Sequence, residues 1–455
     1  MESVTRYGIL SPSLASVNRT KGPRHLSKPT SGAGRRTPTA AAIEPNLARA
    51  EDLVFRMLSI PGGSGREGQV AEFISKELRR AGAPASALKT DRTHLRIPQG
   101  GEIGNLILSL PGTRSGPRRL LVAHMDTVPL CRGARPVLRG RYVVPASKNT
   151  ALGGDDRAGA TAILVAALEI LKRGLPHPPL TFVWTVQEEL GLLGARHLQI
   201  GLLGRPRWAF NFDGSSPEDV TIGATGGYRM QVRISGIASH AGVSPERGVS
   251  AIAIASLAIA QLHTEGWHGA VVKDGRSGTS NVGIIRGGEA TNVVTPEVQV
   301  HAEARSHDPA FRAQIVGAIE AAFRKAAQSV RNVEGACGKV EIRGRLDYEA
   351  FKLPEDHPCV LAAEAAVRAV GGEPQRAISN GGLDANWLTA KGVPTVSLGA
   401  GASGAHTTRE RLNLAQFRQA CRVALLLATA TEALQGRLCR PARGSSGGQE
   451  LDVAS

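Results

Sequence analysis

Apolar residues along this chain recur first at helical and then at strand spacing. Between residues 46 and 59 they fall at Leu47, Leu53, Val54, Met57 and Leu58, one face of a helix that the turn Pro61-Gly62-Gly63-Ser64-Gly65 ends. The spacing predicts a second helix over 68–81, stopped by Gly82. Short apolar runs follow at 105–109, 120–123, 180–186 and 209–212, with a long helical stretch over 156–172 between the second and third. Such alternation predicts an α/β fold, a central mixed β-sheet flanked by helices.

The pattern changes at Gly226-Gly227. A strand over 228–235, a helix over 250–262, strands over 280–286 and 297–304, a helix over 309–328 and a strand over 339–343 give the order β-α-β-β-α-β. This reads as an α+β domain, 226–348, inserted into a first domain whose parts are 46–225 and 349–435. A helix over 357–370, a strand over 394–398 and a helix over 414–435 restore the α/β pattern. Residues 1–45 read as a disordered basic extension and 436–455 as a disordered Gly/Ser/Arg-rich tail.

Length and composition narrow the classes. A chain of 455 residues is long enough for two domains or for one large domain with an insertion, and with 42% hydrophobic but 4% aromatic residues its core should be aliphatic. The net charge of +16 raises the prospect of nucleic acid or an anionic membrane as partner. The charge is spread along the chain, however, and no helix-turn-helix, finger or aromatic-basic stripe accompanies it, so neither partner is expected. No apolar run reaches the ~18 residues of a membrane span. Five scattered cysteines without a C-x-x-C argue for a reducing compartment, hence a cytoplasmic location, and against disulfides or a cysteine zinc site. Residues 1–42 are rich in Ser, Thr and Arg and poor in acids. A transit segment and a misplaced start both stay open.

The candidate chemistry lies where predicted strands end. The run Leu120–Ala123 leads into His124-x-Asp126, two side chains expected to leave one strand face together. Gly153-Gly154-Asp155-Asp156 opens the next helix, Glu188-Glu189 closes a strand, Asp213 follows another, and His406 sits in a Gly-rich loop. Each has a plainer reading alone: a helix cap, a solvated strand end, a turn starter. Together they fall beyond the C-terminal ends of strands in one layer, where α/β folds place their sites. Imidazoles and carboxylates without thiolates suit zinc, manganese or cobalt. Of the two adjacent glutamates, one would ligate and the other act as general base.

These residues stand in segments that resemble the peptidase T-like branch of the two-metal aminopeptidase, carboxypeptidase and aminoacylase family. The segments are AHMDTV, LGGDDRAGA, TVQEELGLLGAR, FNFDG, SHAGVSPERGVSAI, GGEATNVV, SNGGLDANWL and GAHTT, in family order across 46–435. The resemblance implies two divalent metal ions, zinc first with cobalt or manganese open. Asp155 would bridge them, His124 and Asp213 would complete one ion, and Glu189 and His406 the other. Asp126 would orient His124, and Glu188 would be the base that takes a proton from the attacking water and returns it to the leaving amine. The inserted domain would be a lid or dimerisation domain, so a homodimer through it stays open. On it, His240 would assist the oxyanion, and Asn292 and Arg305 would contact substrate, Arg305 through a carboxylate. Plainer readings are a polar strand end for His240 and an edge-strand charge for Arg305.

The expected function is a metallo-exopeptidase acting on short peptides, most like an aminotripeptidase. A carboxypeptidase or N-acyl-amino-acid amidohydrolase on the same scaffold is the alternative. A nucleic-acid or scaffold binder with a decayed site would conflict with the intact ligand set. Peptide length, side-chain preference, native metal and oligomeric state are not written in the motifs.

Overall fold

The computed structural model of the protein describes residues 44–430. The expectations for residues 1–43, for the tail 436–455 and for the last residues of the closing helix lie outside the described residues. The larger sheet has nine strands among them. Its path runs Leu88–Thr90, Leu106–Leu110, Leu180–Thr185, Arg119–His124, Trp208–Asn211, Thr395–Ser397, Asp219–Ala224 and Phe351–Lys352, with Gln375–Ser379 also paired to Asp219–Ala224. The four central strands, from Leu180–Thr185 to Thr395–Ser397, are mutually parallel. Arg119–His124 and Leu180–Thr185 are buried throughout, as parallel strands covered on both faces must be. Their shared direction puts His124, Thr185, Asn211 and Ser397 at one edge of the sheet.

The helix Gly154–Arg173 is buried on nearly every side. It packs against Arg119–His124 and against the helices Leu47–Leu58 and Leu414–Thr429. Close packing on all sides explains its small residues. A Cβ at Gly159 would overlap the carbonyl oxygen of Phe212 and the carboxylate of Asp156. A four-stranded sheet of Ala402–Ser403, Arg411–Asn413, Tyr142–Pro145 and Pro136–Arg139 lies beside this helix and carries the 404–410 turn between its first two strands.

The second unit leaves the main sheet after Ala224 and returns at Phe351, and those two residues are paired neighbours. Its sheet is antiparallel, in the order Gly269–Lys273, Arg276–Gly287, Glu297–Ser306, Gly226–Ser235, Lys339–Tyr348. The helices Ala251–Thr264 and Pro309–Ser329 cover one face and share a separate hydrophobic core with it. The other face carries Arg229, Gln231, Arg233, Gln299, Glu341 and Arg343, the alternation of a sheet with one wet side.

The expected order β-α-β-β-α-β lacks one strand. Gly269–Lys273 forms a hairpin with Arg276–Gly287 through Asp274-Gly275, both at positive φ, +50° and +73°. That Asp-Gly pair is a hairpin signal; the strand before it holds only three apolar residues, which hides its period. Asp219–Ala224, Gln375–Ser379 and the short helix Asp384–Ala390 were likewise not expected, being brief and partly polar.

Candidate metal centre

The strand Arg119–His124 ends on its histidine, so Asp126 is not a second side chain on the same strand face. The chain turns inward instead, and Asp126 is fully buried. His124 Nδ1 lies 3.1 Å from the Asp126 carbonyl oxygen and 3.4 Å from its Oδ1, which makes Nδ1 the protonated nitrogen. Nε2 then points outward, 3.3 Å from Asp155 Oδ1. The Asp126 carboxylate does more than face the imidazole. It accepts hydrogen bonds from Ser64 Oγ at 2.6 Å, from the Glu188 backbone N–H at 2.9 Å and from the Glu189 N–H at 3.2 Å. One buried anion thus fixes both glutamates. Burial would raise its pKa, but His124, Ser64 and the Glu188 N–H outweigh burial and hold it below the ordinary carboxylate value.

At the start of Gly154–Arg173, Asp155 and Asp156 have non-helical backbone and a cis peptide between them. Their carboxylates part company. Asp156 turns in, accepting from the backbone N–H of His124 and of Gly159, each at 3.1 Å. Asp155 turns out, with Oδ2 3.4 Å from His406 Nε2. His406, at φ +61°, also meets Glu189 Oε2 at 2.9 Å. Ligating atoms of His124, Asp155 and Glu189 lie within 4.8 Å of one another.

Glu188 and Asp213 complete the acidic cluster without a hydrogen bond between their carboxylates and the others. Burial, then Asp213, Asp384 and Glu189, push the Glu188 carboxyl well above its usual range, against an opposing pull from His124. Burial and then Asp155 push Asp213 up to about 8. Hydrogen bonds that it donates to Asp155 and Glu189 raise the His406 imidazole to about 10. His124 stays well above its ordinary value, because Asp126 and Asp155 outweigh burial. Among the described residues, no Lys or Arg forms an ion pair with Asp155, Glu188, Glu189 or Asp213. Four carboxylates and two imidazoles converge with no Lys or Arg paired to them among the described residues, a donor set that fits divalent cations held by oxygen and nitrogen.

The proposed lid residues are not joined to this cluster by any hydrogen bond or ion pair among the described residues. His240 forms an isolated bridge with Val293, and the Ala241 N–H donates to the Asn292 carbonyl oxygen, which puts His240 and Asn292 in one corner of the second unit. Arg305 is gripped by Glu303 on its own strand, Nε to Oε1 at 2.9 Å and Nη2 to Oε2 at 3.1 Å.

Three supporting carboxylates escaped the motif reading. Glu67, fully buried, accepts from Gly65 N–H and from Gln187 N–H at 2.8 and 3.0 Å, and so holds the residue before Glu188 at φ +51°. Asp384 accepts from Thr185 Oγ1 beneath the glutamates. Glu410 binds the loop ahead of Asp155. Asp384 lies in a segment that carries the resemblance, and Glu410 stands four residues after His406, the one spacing cue that was available.

Residues 120–430 match the model of the peptidase family M20/M25/M40. The uncharacterized protein YqjE of Bacillus subtilis (strain 168) is 30% identical over 373 residues, 82% of this chain and 95% of its own. Carboxypeptidase G2 of Pseudomonas sp. (strain RS-16) is 27% identical, covering 78% of this chain and 82% of its own. The crystal structure of a tripeptidase from Staphylococcus aureus subsp. aureus Mu50 superimposes with a TM-score of 0.74 at 29% identity, over 84% of this chain and 99% of that one. The similarity of fold thus runs along almost the whole length of a known tripeptidase. The chain belongs to the peptidase family M20/M25/M40, in the branch that includes peptidase T and this tripeptidase, and is a hydrolase of peptide bonds.

Proposed function

We propose that the protein is a two-metal exopeptidase that trims short peptides, tripeptides foremost. The observation that carries this reading is the convergence of His124, Asp155 and Glu189 with His406 on the outward side of Asp155. His124, Asp155 and Asp213 would hold one ion, and Asp155, Glu189 and His406 the other, with zinc the expected metal. Such a pair supplies a Lewis acid that activates water and stabilises the oxyanion of the scissile carbonyl.

The chain's own groups do the rest. Asp126 fixes the tautomer that leaves His124 Nε2 free to ligate. Glu188, buried in the cluster, takes the proton of the attacking water and delivers it to the leaving amine. Its main chain is pinned through Asp126, so the carboxylate reaches the cleft from a fixed base. From the second unit, His240 would approach the oxyanion and Asn292 the substrate backbone. Arg305 would receive a substrate carboxylate in exchange for Glu303. The units 46–225 with 349–435 and 226–348 are proposed as catalytic and lid domains.

A carboxypeptidase activity is the second reading, favoured by the likeness to carboxypeptidase G2. One experiment separates the readings: metal analysis of the purified protein, joined to hydrolysis of a free tripeptide, its N-acetyl form and its C-terminal amide with and without chelator. An aminotripeptidase needs the free amine, a carboxypeptidase the free carboxylate, and an amidohydrolase the acyl group. Hydrolysis indifferent to chelator would sink the two-metal reading.

Two further parts of the reading are separately testable. A homodimer would form through the second unit, where residues 281–287 of Arg276–Gly287 have no strand partner on their outer side among the described residues; light scattering of the full chain tests it. A cytoplasmic location accords with the free thiols of Cys131, Cys337, Cys359 and Cys421 and is tested by fractionation. Among the described residues, no helix is long and apolar enough to cross a membrane.

A further inference from the structure

Glu410 is a buried carboxylate that neither ligates nor catalyses in the reading above. Its Oε2 accepts the backbone N–H groups of Leu152 and Gly153, both at 2.8 Å, and its Oε1 accepts the N–H of Asp155 at 3.0 Å. These three donors belong to the segment that delivers the bridging aspartate. The glycine pair ahead of Asp155 makes the grip possible. Gly153 sits at φ +80°, and a Cβ on Gly154 would lie 3.1 Å from the Ala402 Cβ and 3.3 Å from Glu410 Oε1, too close for a side chain without displacement.

The main chain of the same residue closes the turn that carries His406. The Glu410 N–H donates to the Thr407 carbonyl oxygen at 3.1 Å, and Thr407 Oγ1 donates to the Gly404 carbonyl oxygen at 2.7 Å. The 404–410 turn therefore holds Asp155 twice. His406 faces its side chain at 3.4 Å, and Glu410 takes its main-chain N–H.

We propose that Glu410 is a positioning residue that locks Asp155 and His406 into one rigid arrangement and so sets the affinity of the paired-cation site; this rests on the metallopeptidase reading above. Charge-assisted hydrogen bonds from backbone N–H groups to a buried carboxylate are strong and directional. Outer partners of this kind change metal affinity by about 10–100-fold when lost.

The test is Glu410→Gln. The variant's single amide oxygen satisfies the two donors of Leu152 and Gly153, which sets the NH2 group against the Asp155 N–H. The disturbance is thereby aimed at the bridging residue. Metal-free full-length protein is titrated with Zn2+ alone against a chromophoric chelator, and the melting temperature of the metal-free protein is measured in parallel. The expected result is two equivalents of Zn2+ in the wild type and about 10–100-fold weaker uptake in E410Q, with the metal-free variant still folding cooperatively and melting roughly a few degrees lower, the effect of one unpartnered N–H. Wild-type Zn2+ affinity in a folded E410Q overturns the role of Glu410 and leaves the metallopeptidase reading standing. A wild type that takes up no Zn2+ overturns both. Should E410Q not fold, Glu410→Asp keeps the charge but reaches only one arm of the segment; intermediate affinity supports the proposal, and wild-type affinity refutes it.

Discussion

Replacing Asp126 with Asn tests the core of the site with almost no change of shape. Oδ1 accepts the Glu188 N–H and faces His124 Nδ1, while Oδ2 accepts Ser64 Oγ and the Glu189 N–H. If the amide keeps its oxygen on the first side, NH2 replaces Oδ2. The Ser64 hydroxyl rotates and accepts, but the Glu189 N–H is left facing another donor. The opposite orientation sets NH2 against both the Glu188 N–H and the His124 Nδ1–H, which is worse. One buried N–H without a partner costs about 1–3 kcal/mol. Loss of the anion beside His124 adds about a 10–100-fold weakening of metal binding. The prediction for D126N is thus a metal-free protein destabilised by about 2 kcal/mol in urea unfolding, together with weaker Zn2+ uptake and lower kcat/KM. A variant within about 0.5 kcal/mol of wild type and with unchanged Zn2+ affinity would refute the anchoring role.

Other outcomes follow from the same geometry. Glu188→Gln should lower kcat by about 10²–10⁴-fold while metal content measured by mass spectrometry stays at the wild-type level; substantial residual turnover removes Glu188 as the base. In the metal-free protein His406 is raised from 6.5 to about 10 by Asp155 and Glu189. Its contribution to stability is full below pH 6.5 and lost as pH rises toward 10. The melting-temperature gap between wild type and His406→Ala in chelator should therefore shrink over that window, and a gap independent of pH contradicts the pairing. Gly159→Ala should cost about 3 kcal/mol or more, or prevent folding, since the added methyl meets the Phe212 carbonyl; thermal melting reads it.

The sequence made the strand ends legible because central parallel strands are continuous apolar runs. The chemistry at each end then stands out as the first charged residue, as at His124 and at Glu188 beyond Thr185. What it could not show was which way a side chain turns after the strand stops. Asp126 reads as a partner of His124 and proves equally a partner of two backbone N–H groups 62 and 63 residues away. Asp155 and Asp156 are alike in the sequence, and only packing sends one outward and the other into the protein. Glu67 and Glu410 act on main-chain groups, which carry no residue identity and leave no motif. The hairpin at Asp274-Gly275 was written in the chain but masked by a strand with few apolar positions.

The pairing of Ala224 with Phe351 bears on the order in which the chain folds. The strand Thr395–Ser397 must find Trp208–Asn211, and the hydrogen bond from Asn211 to Ser397 spans 186 positions. A loop of that length is slow to close, and parallel pairing offers no local hairpin to start it. If the inserted unit condenses first around its own core, it brings Ala224 beside Phe351. The remaining span is then roughly threefold shorter, a relief of about 1 kcal/mol in closure entropy. In this order the inserted unit serves as a scaffold for assembling the main sheet before it ever meets a substrate. A permutant that opens the chain inside 226–348 should fold its main sheet more slowly while keeping its final contacts.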